Sequence, residues 1–115
     1  QARFVEMDYA FNDAIRLLPT AGHTPGHVCL SINSAGRSAV LSGDLMHHPV
    51  QCNRPDWNSC FCVDPQASRA TREAFVERYG GTDTLIMPAH FPTPSAGLIV
   101  PRGDSWHFEF EPGNG

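Results

Sequence analysis

Two imidazoles and one carboxylate occupy equivalent places in this sequence: each ends a short apolar run. The stretch LLPTAGH ends in His23, AVLSGD in Asp44 and LIMPAH in His90. In α/β sheets, ligands gather where strands give way to loops, so three such ends can converge on one point. Two histidines and an aspartate at that point suit Zn, with Mn or Fe as alternatives. Each residue also has a plainer explanation. His23 could be a loop histidine bonded locally, Asp44 a turn residue after Gly43, and His90 a cap or core histidine. The design shared by the three segments favours the metal.

Other groups near these three could support them. Gly22, Gly26 and Gly43 allow tight backbone turns beside the candidate ligands, and Pro25 stiffens the loop from His23 to His27. His27 reads as a residue that hydrogen-bonds and holds that loop. The pair His47-His48 follows Asp44 closely and either lines a pocket or lies on a surface turn. His107 alternates with Phe108 and Phe110 and reads as a solvent-facing strand residue. Trp57, Phe61 and Phe91 are candidates for an apolar pocket wall or for the core.

Composition removes several kinds of chemistry. All 8 basic residues are Arg, so Schiff-base catalysis, a Ser-Lys pair and a P-loop lysine are excluded. The net charge is -4 and no basic stripe is present, which argues against nucleic acid. No apolar run is long enough to cross a bilayer. The sequence leaves the compartment open, with the cytoplasm favoured. Four cysteines, Cys29, Cys52, Cys60 and Cys62, fit neither a paired zinc motif nor a disulfide framework and read as free thiols. The chain opens without an initiator Met and without a signal-peptide pattern, as a piece of a longer protein would.

The elements that must position these groups follow from pattern and punctuation. Strands are expected at Ala14 to Pro19, Val28 to Asn33 and Ser38 to Ser42, with a hairpin turn at Ser34-Ala35-Gly36. Met46 to Val63 lacks a period and reads as a long ordered loop. Asp64 as N-cap and Pro65 at the first position open a helix that runs to about Tyr79, where Gly80-Gly81 stops it. Its buried face is expected at Ala67, Ala70, Thr71, Ala74 and Phe75. Further strands fall at Thr84 to Pro88, Leu98 to Val100 and Trp106 to Phe110, the last two joined by a turn at Pro101-Arg102-Gly103-Asp104. The order implies a mixed α/β layer structure over residues 1–115.

The string from Thr20 to His27, TAGHTPGH, resembles the T-x-G-H-T-x-G-H signature of the metallo-β-lactamase superfamily. Ser42-Gly43-Asp44 and Pro88-Ala89-His90 resemble the ligand motifs that follow it there, in the same order. The resemblance implies half of an αββα sandwich, with a mixed sheet and one main helix. It also implies that His23, rather than His27, is a ligand. Asp44 would bridge two metals and serve as the catalytic residue, and His90 would complete the second site. The H-x-H-x-D-H segment of that superfamily is not in this chain. The chain therefore reads as the C-terminal half of such a domain, associating with an N-terminal half or with itself.

A finer likeness lies in GDLMHHPVQ from Gly43, in Pro55-x-Trp57, Asp64-Pro65, Thr71-Arg72 and Ala89-His90-Phe91-Pro92. These resemble the branch with lactonase-like and methyl parathion hydrolase-like enzymes. Cys62 stands where that branch commonly has Asp, a change expected to affect a local cap or turn and not the ligands. The implied activity is hydrolysis of a small-molecule ester, lactone or phosphotriester by hydroxide on one or two Zn ions. The alternatives are a non-catalytic metal-binding or packing module, a glyoxalase II-like thioester hydrolase or a β-lactamase. A flavodiiron-like role needs an upstream H-x-E-x-D pattern that is not seen here.

Overall fold

The computed structural model describes residues 1–112, so the last three residues of the expected 1–115 unit lie outside the described set. Six strands form one sheet in sequence order: β1 (Ile15–Pro19), β2 (Val28–Ser34), β3 (Arg37–Gly43), β4 (Leu85–Pro88), β5 (Gly97–Arg102) and β6 (Ser105–Phe110). Between β3 and β4 the chain passes through a short helix, α1 (Val50–Asn53), and a longer one, α2 (Pro65–Tyr79). The first of these breaks the loop expected over Met46 to Val63. Each expected strand is present, with ends shifted by one or two residues, and α2 has the expected bounds.

Local chemistry explains the turns. Ala35 and Gly36 both take positive φ, 51° and 75°, between β2 and β3. That pair of signs matches the right-handed twist of the flanking strands. Asp64 Oδ1 accepts the Ala67 N–H at 2.9 Å, capping α2, and Pro65 occupies a position where no N–H is needed.

Strand direction decides where the candidate ligands go. β1 is antiparallel to β2, β2 is antiparallel to β3, and β3 is parallel to β4. Hence β1, β3 and β4 run the same way, and their C-terminal ends share one edge of the sheet. His23, Asp44 and His90 each follow one of these strands. The crossover through α1 and α2 makes the parallel pairing of β3 with β4 sterically feasible.

One face of the sheet packs on α2. The core joins Cys29, Val40, Ile86 and Ile99 from the strands to Phe75, Val76 and Tyr79 from α2, with Leu18, Trp106 and Phe108 against it. The buried face of α2 is Ser68, Arg72, Phe75, Val76 and Tyr79. This corrects the expected face: Phe75 is on it, but Ala70 and Ala74 are exposed. Apolarity alone misplaced the face because Arg72 is fully buried through hydrogen bonds rather than through apolar contact.

Among the described residues, the other face carries no helix. Leu17, Leu30, Leu41 and Met87 lie in register across β1 to β4, and Ile32, Ala39 and Leu85 form a parallel row. Leu41 is 37% and Met87 42% exposed. A row of this kind on an uncovered sheet is an apolar surface of the sort that normally meets a partner layer.

Candidate metal centre

The loop between β1 and β2 brings His23 to the shared edge, and neighbouring segments fix it. Thr71 Oγ1 of α2 donates to Ala21 O at 2.7 Å. Val63 N donates to His23 O and Asp64 N to Gly22 O, both at 3.0 Å. Gly22, at φ +145°, lies so near α2 that a Cβ there would stand 2.4 Å from Ser68 Cα. Gly43 has φ +53°, and a Cβ there would meet His27 Nε2 at 3.0 Å. Both positions require glycine. Gly26 has neither a positive φ nor a close neighbour, so the turn expected to depend on it does not.

The structure brings together all three candidate ligands. Asp44 Oδ1 is 2.6 Å from His90 Nε2, and Asp44 Oδ2 is 3.4 Å from His23 Nε2. The carboxylate therefore lies between two imidazole nitrogens, one on each oxygen. His47 joins them: its ring stacks on His90 at 5.1 Å and 12°, and lies 5.0 Å from His23. Ligand atoms of Asp44, His47 and His90 all fall within 4.8 Å of one another.

His27 has a different task. Its Nε2 accepts the Asp44 backbone N–H at 3.0 Å, so Nδ1 carries the ring proton and faces Thr20 Oγ1 at 2.9 Å. It ties the β1–β2 loop to the residue after β3, as the sequence suggested. Burial, opposed by Thr20 and Asp44, lowers its pKa and keeps the ring neutral. His48 uses Nδ1 to accept the Val50 N–H and faces solvent. His107 pairs with Val100 on the sheet face away from the core.

His47 is held by its own loop. The buried Gln51 accepts the backbone N–H groups of His47 and His48 with Oε1, at 2.6 and 3.2 Å, and donates to Trp57 O with Nε2. Burial first, then the His23 and His90 charges, lower the His47 pKa. Its Nδ1 is buried without a hydrogen-bond partner among the described residues. A neutral imidazole, an orphaned ring nitrogen and a carboxylate flanked by two histidines together fit a divalent cation.

The aromatic residues divide. Phe91 is core, edge-on to Phe108 at 4.8 Å, whereas Trp57 is half exposed and lines a groove with His47 and Val50. Phe61 is largely exposed. Cys62 departs from expectation more sharply. It was read as remote from the ligands, yet its Sγ lies 3.9 Å from His23 Nδ1. All four cysteines are free thiols.

No protein-family profile matches the chain, and no curated protein does. Solved structures do match it. It is similar to AidC, a dizinc quorum-quenching lactonase solved with its product, with TM-score 0.86 and 22% identity over 96% of this chain and 38% of that one. It is similar to AbOPH, a hydrolase of the β-lactamase superfamily, with TM-score 0.83 and 26% identity over 90% of this chain and 36% of that one. A probable metal-dependent hydrolase from Staphylococcus aureus matches with TM-score 0.72 and 20% identity over 93% of this chain and 39% of that one. The chain thus spans little more than a third of the length of these proteins. Its mixed six-stranded sheet and helix layer form part of the metallo-β-lactamase fold, the architecture of these zinc and metal-dependent hydrolases.

Proposed function

We propose that this chain supplies His23, Asp44 and His90 to a dinuclear zinc centre, and that the whole protein hydrolyses a lactone or related ester. The observation that carries this reading is the convergence of those three side chains, from three co-directional strands, on one edge of the sheet. Zinc held there would supply a Lewis acid and bring the acidity of water near neutral pH.

The chain's own residues do the rest. Asp44 presents one oxygen to each side, which is the arrangement a bridging carboxylate needs. His27 fixes its backbone, so the carboxylate is aimed before any ligand arrives. His47 stands beside it as a neutral imidazole, with a ligand atom in reach of the same ion as those of Asp44 and His90.

A groove of ≈ 340 Å³ opens next to His47, walled by Val50, Trp57 and Asn58. No Lys or Arg lines it, and Arg54, which lies over Trp57, is paired with Asp56 at 2.8 Å. The groove therefore favours an uncharged, partly apolar substrate, as a lactone or ester with an acyl arm is. The solved lactonase neighbours support the same class. In this reading the uncovered sheet face receives an upstream half of the protein, which contributes the remaining ligands.

His23→Ala or Asp44→Ala in the full-length protein should each lose bound zinc. Each should also lower lactone turnover by on the order of 100-fold or more, the scale of one preorganised electrostatic group. Zinc content by atomic emission and a pH-indicator lactonase assay check this. Full zinc content and turnover in either variant refutes the assignment.

A further inference from the structure

Arg72 is fully buried on α2, and the partners of its guanidinium are neutral: Pro55 O, Ser68 Oγ and Asn58 Oδ1. The bond to Ser68 Oγ is 2.6 Å. Arginine can only donate, so Ser68 Oγ is the acceptor in that bond and its own proton must point elsewhere. The other neighbour of Ser68 Oγ is Cys62 Sγ, at 3.4 Å. Either atom can donate in that contact; when the thiol donates, its proton points at Ser68 and its lone pairs are left for the next neighbour.

The far side of the sulfur meets His23. The two backbone bonds from residues 63 and 64 to the His23 loop strap Cys62 against the ring. Cys62 Sγ lies 3.9 Å from Nδ1, while Nε2 on the opposite edge faces Asp44. A nitrogen that presents its lone pair to a metal cannot also carry the ring proton, so that proton belongs on Nδ1, toward the sulfur.

We propose that Cys62 is the positioning residue for His23: its sulfur accepts the Nδ1–H, holding the ring in the tautomer and orientation that aim Nε2 at Asp44. This rests on reading His23 as a metal ligand. The partner of a ligating histidine is usually a carboxylate, a backbone carbonyl or water. Here a thiol sulfur, with Ser68 Oγ in reach to accept its proton, takes that place. An aspartate at position 62 should do the same work, and an alanine should not.

The test compares Cys62→Ala and Cys62→Asp with the parent in the full-length protein. Chelator competition should show zinc affinity falling about 10-fold or more in Cys62→Ala, the usual cost of losing such a partner, and recovering in Cys62→Asp. Nitrogen-15 NMR of the zinc-loaded proteins gives a second readout. The His23 Nδ1–H should exchange slowly with solvent in the parent and in Cys62→Asp, and quickly in Cys62→Ala. Parental zinc affinity with an equally slow Nδ1–H in Cys62→Ala would overturn the proposal. A parent that binds no zinc would sink the metal reading, and the Cys62 role with it.

Discussion

At the scale of single residues, His27 holds the site's two halves together only while its ring is neutral. Its Nε2 must keep a lone pair for the Asp44 N–H. Burial lowers its pKa below the ordinary 6.5, so the unfolded chain takes a proton first as pH falls. The stability from this bond is therefore complete above about 6.5 and declines as pH drops through and below that value. Thermal melts of the metal-free protein from pH 7.5 to pH 5 should show a falling midpoint, and His27→Gln should melt lower at pH 7.5 with a shallower decline. A parent curve that is flat over that window, or equally steep in the variant, contradicts the account. The meeting of His23, Asp44 and His90 was legible because each residue sits in a patterned phrase at a strand end. His47 was not decided by pattern, since only the fold shows that its ring stacks on His90 while His48 turns outward. Cys62 was misread because its partner is 39 residues away in sequence and meets it only through the strap of residues 63 and 64.

At the scale of elements, α2 is more than a cover for the sheet. Its first turns anchor the His23 loop through Thr71, and its buried Arg72 binds the segment from Pro55 to Asn58. Arg72→Met keeps the volume and helix propensity but removes every one of those donors. Stability should fall by about 1–3 kcal/mol, the cost of leaving buried acceptors unpaired, less where water reaches the exposed Asn58. Urea unfolding measures the loss. Faster amide exchange confined to residues 55–62 would show that the loop, not the helix, has loosened; unchanged stability would rule the role out. Sequence reading placed this helix and its caps correctly, because Asp64-Pro65 and Gly80-Gly81 are local signals. It misplaced the buried face because an alanine stripe satisfies the periodicity, whereas a buried guanidinium is visible only once its acceptors from the preceding loop are known.

At the scale of the molecule, the described residues cover the sheet with helix on one side alone. The rows through Leu41 and Met87 present an apolar surface. Residues 1–115 expressed alone should self-associate, and Leu41→Glu with Met87→Glu should shift that material toward monomer in sedimentation velocity. On the reading proposed above, the same pair in the full-length protein should instead lower the melting temperature, because the charges would then be trapped between layers. Monomeric behaviour of the unsubstituted piece would remove the case for a covering layer. The mixed α/β architecture was readable from the order of apolar runs and breakers.

The co-directional run of β1, β3 and β4 has an opposite pole. The Ala35-Gly36 and Gly103-Asp104 turns both close hairpins at the rim opposite His23, Asp44 and His90, and all four residues are exposed. The proposed chemistry and these connections thus fall on opposite rims. A peptide tag or fluorescent reporter spliced into either hairpin tip would hang from the rim away from those three side chains. Engineering this protein calls for building at that end and leaving the other untouched.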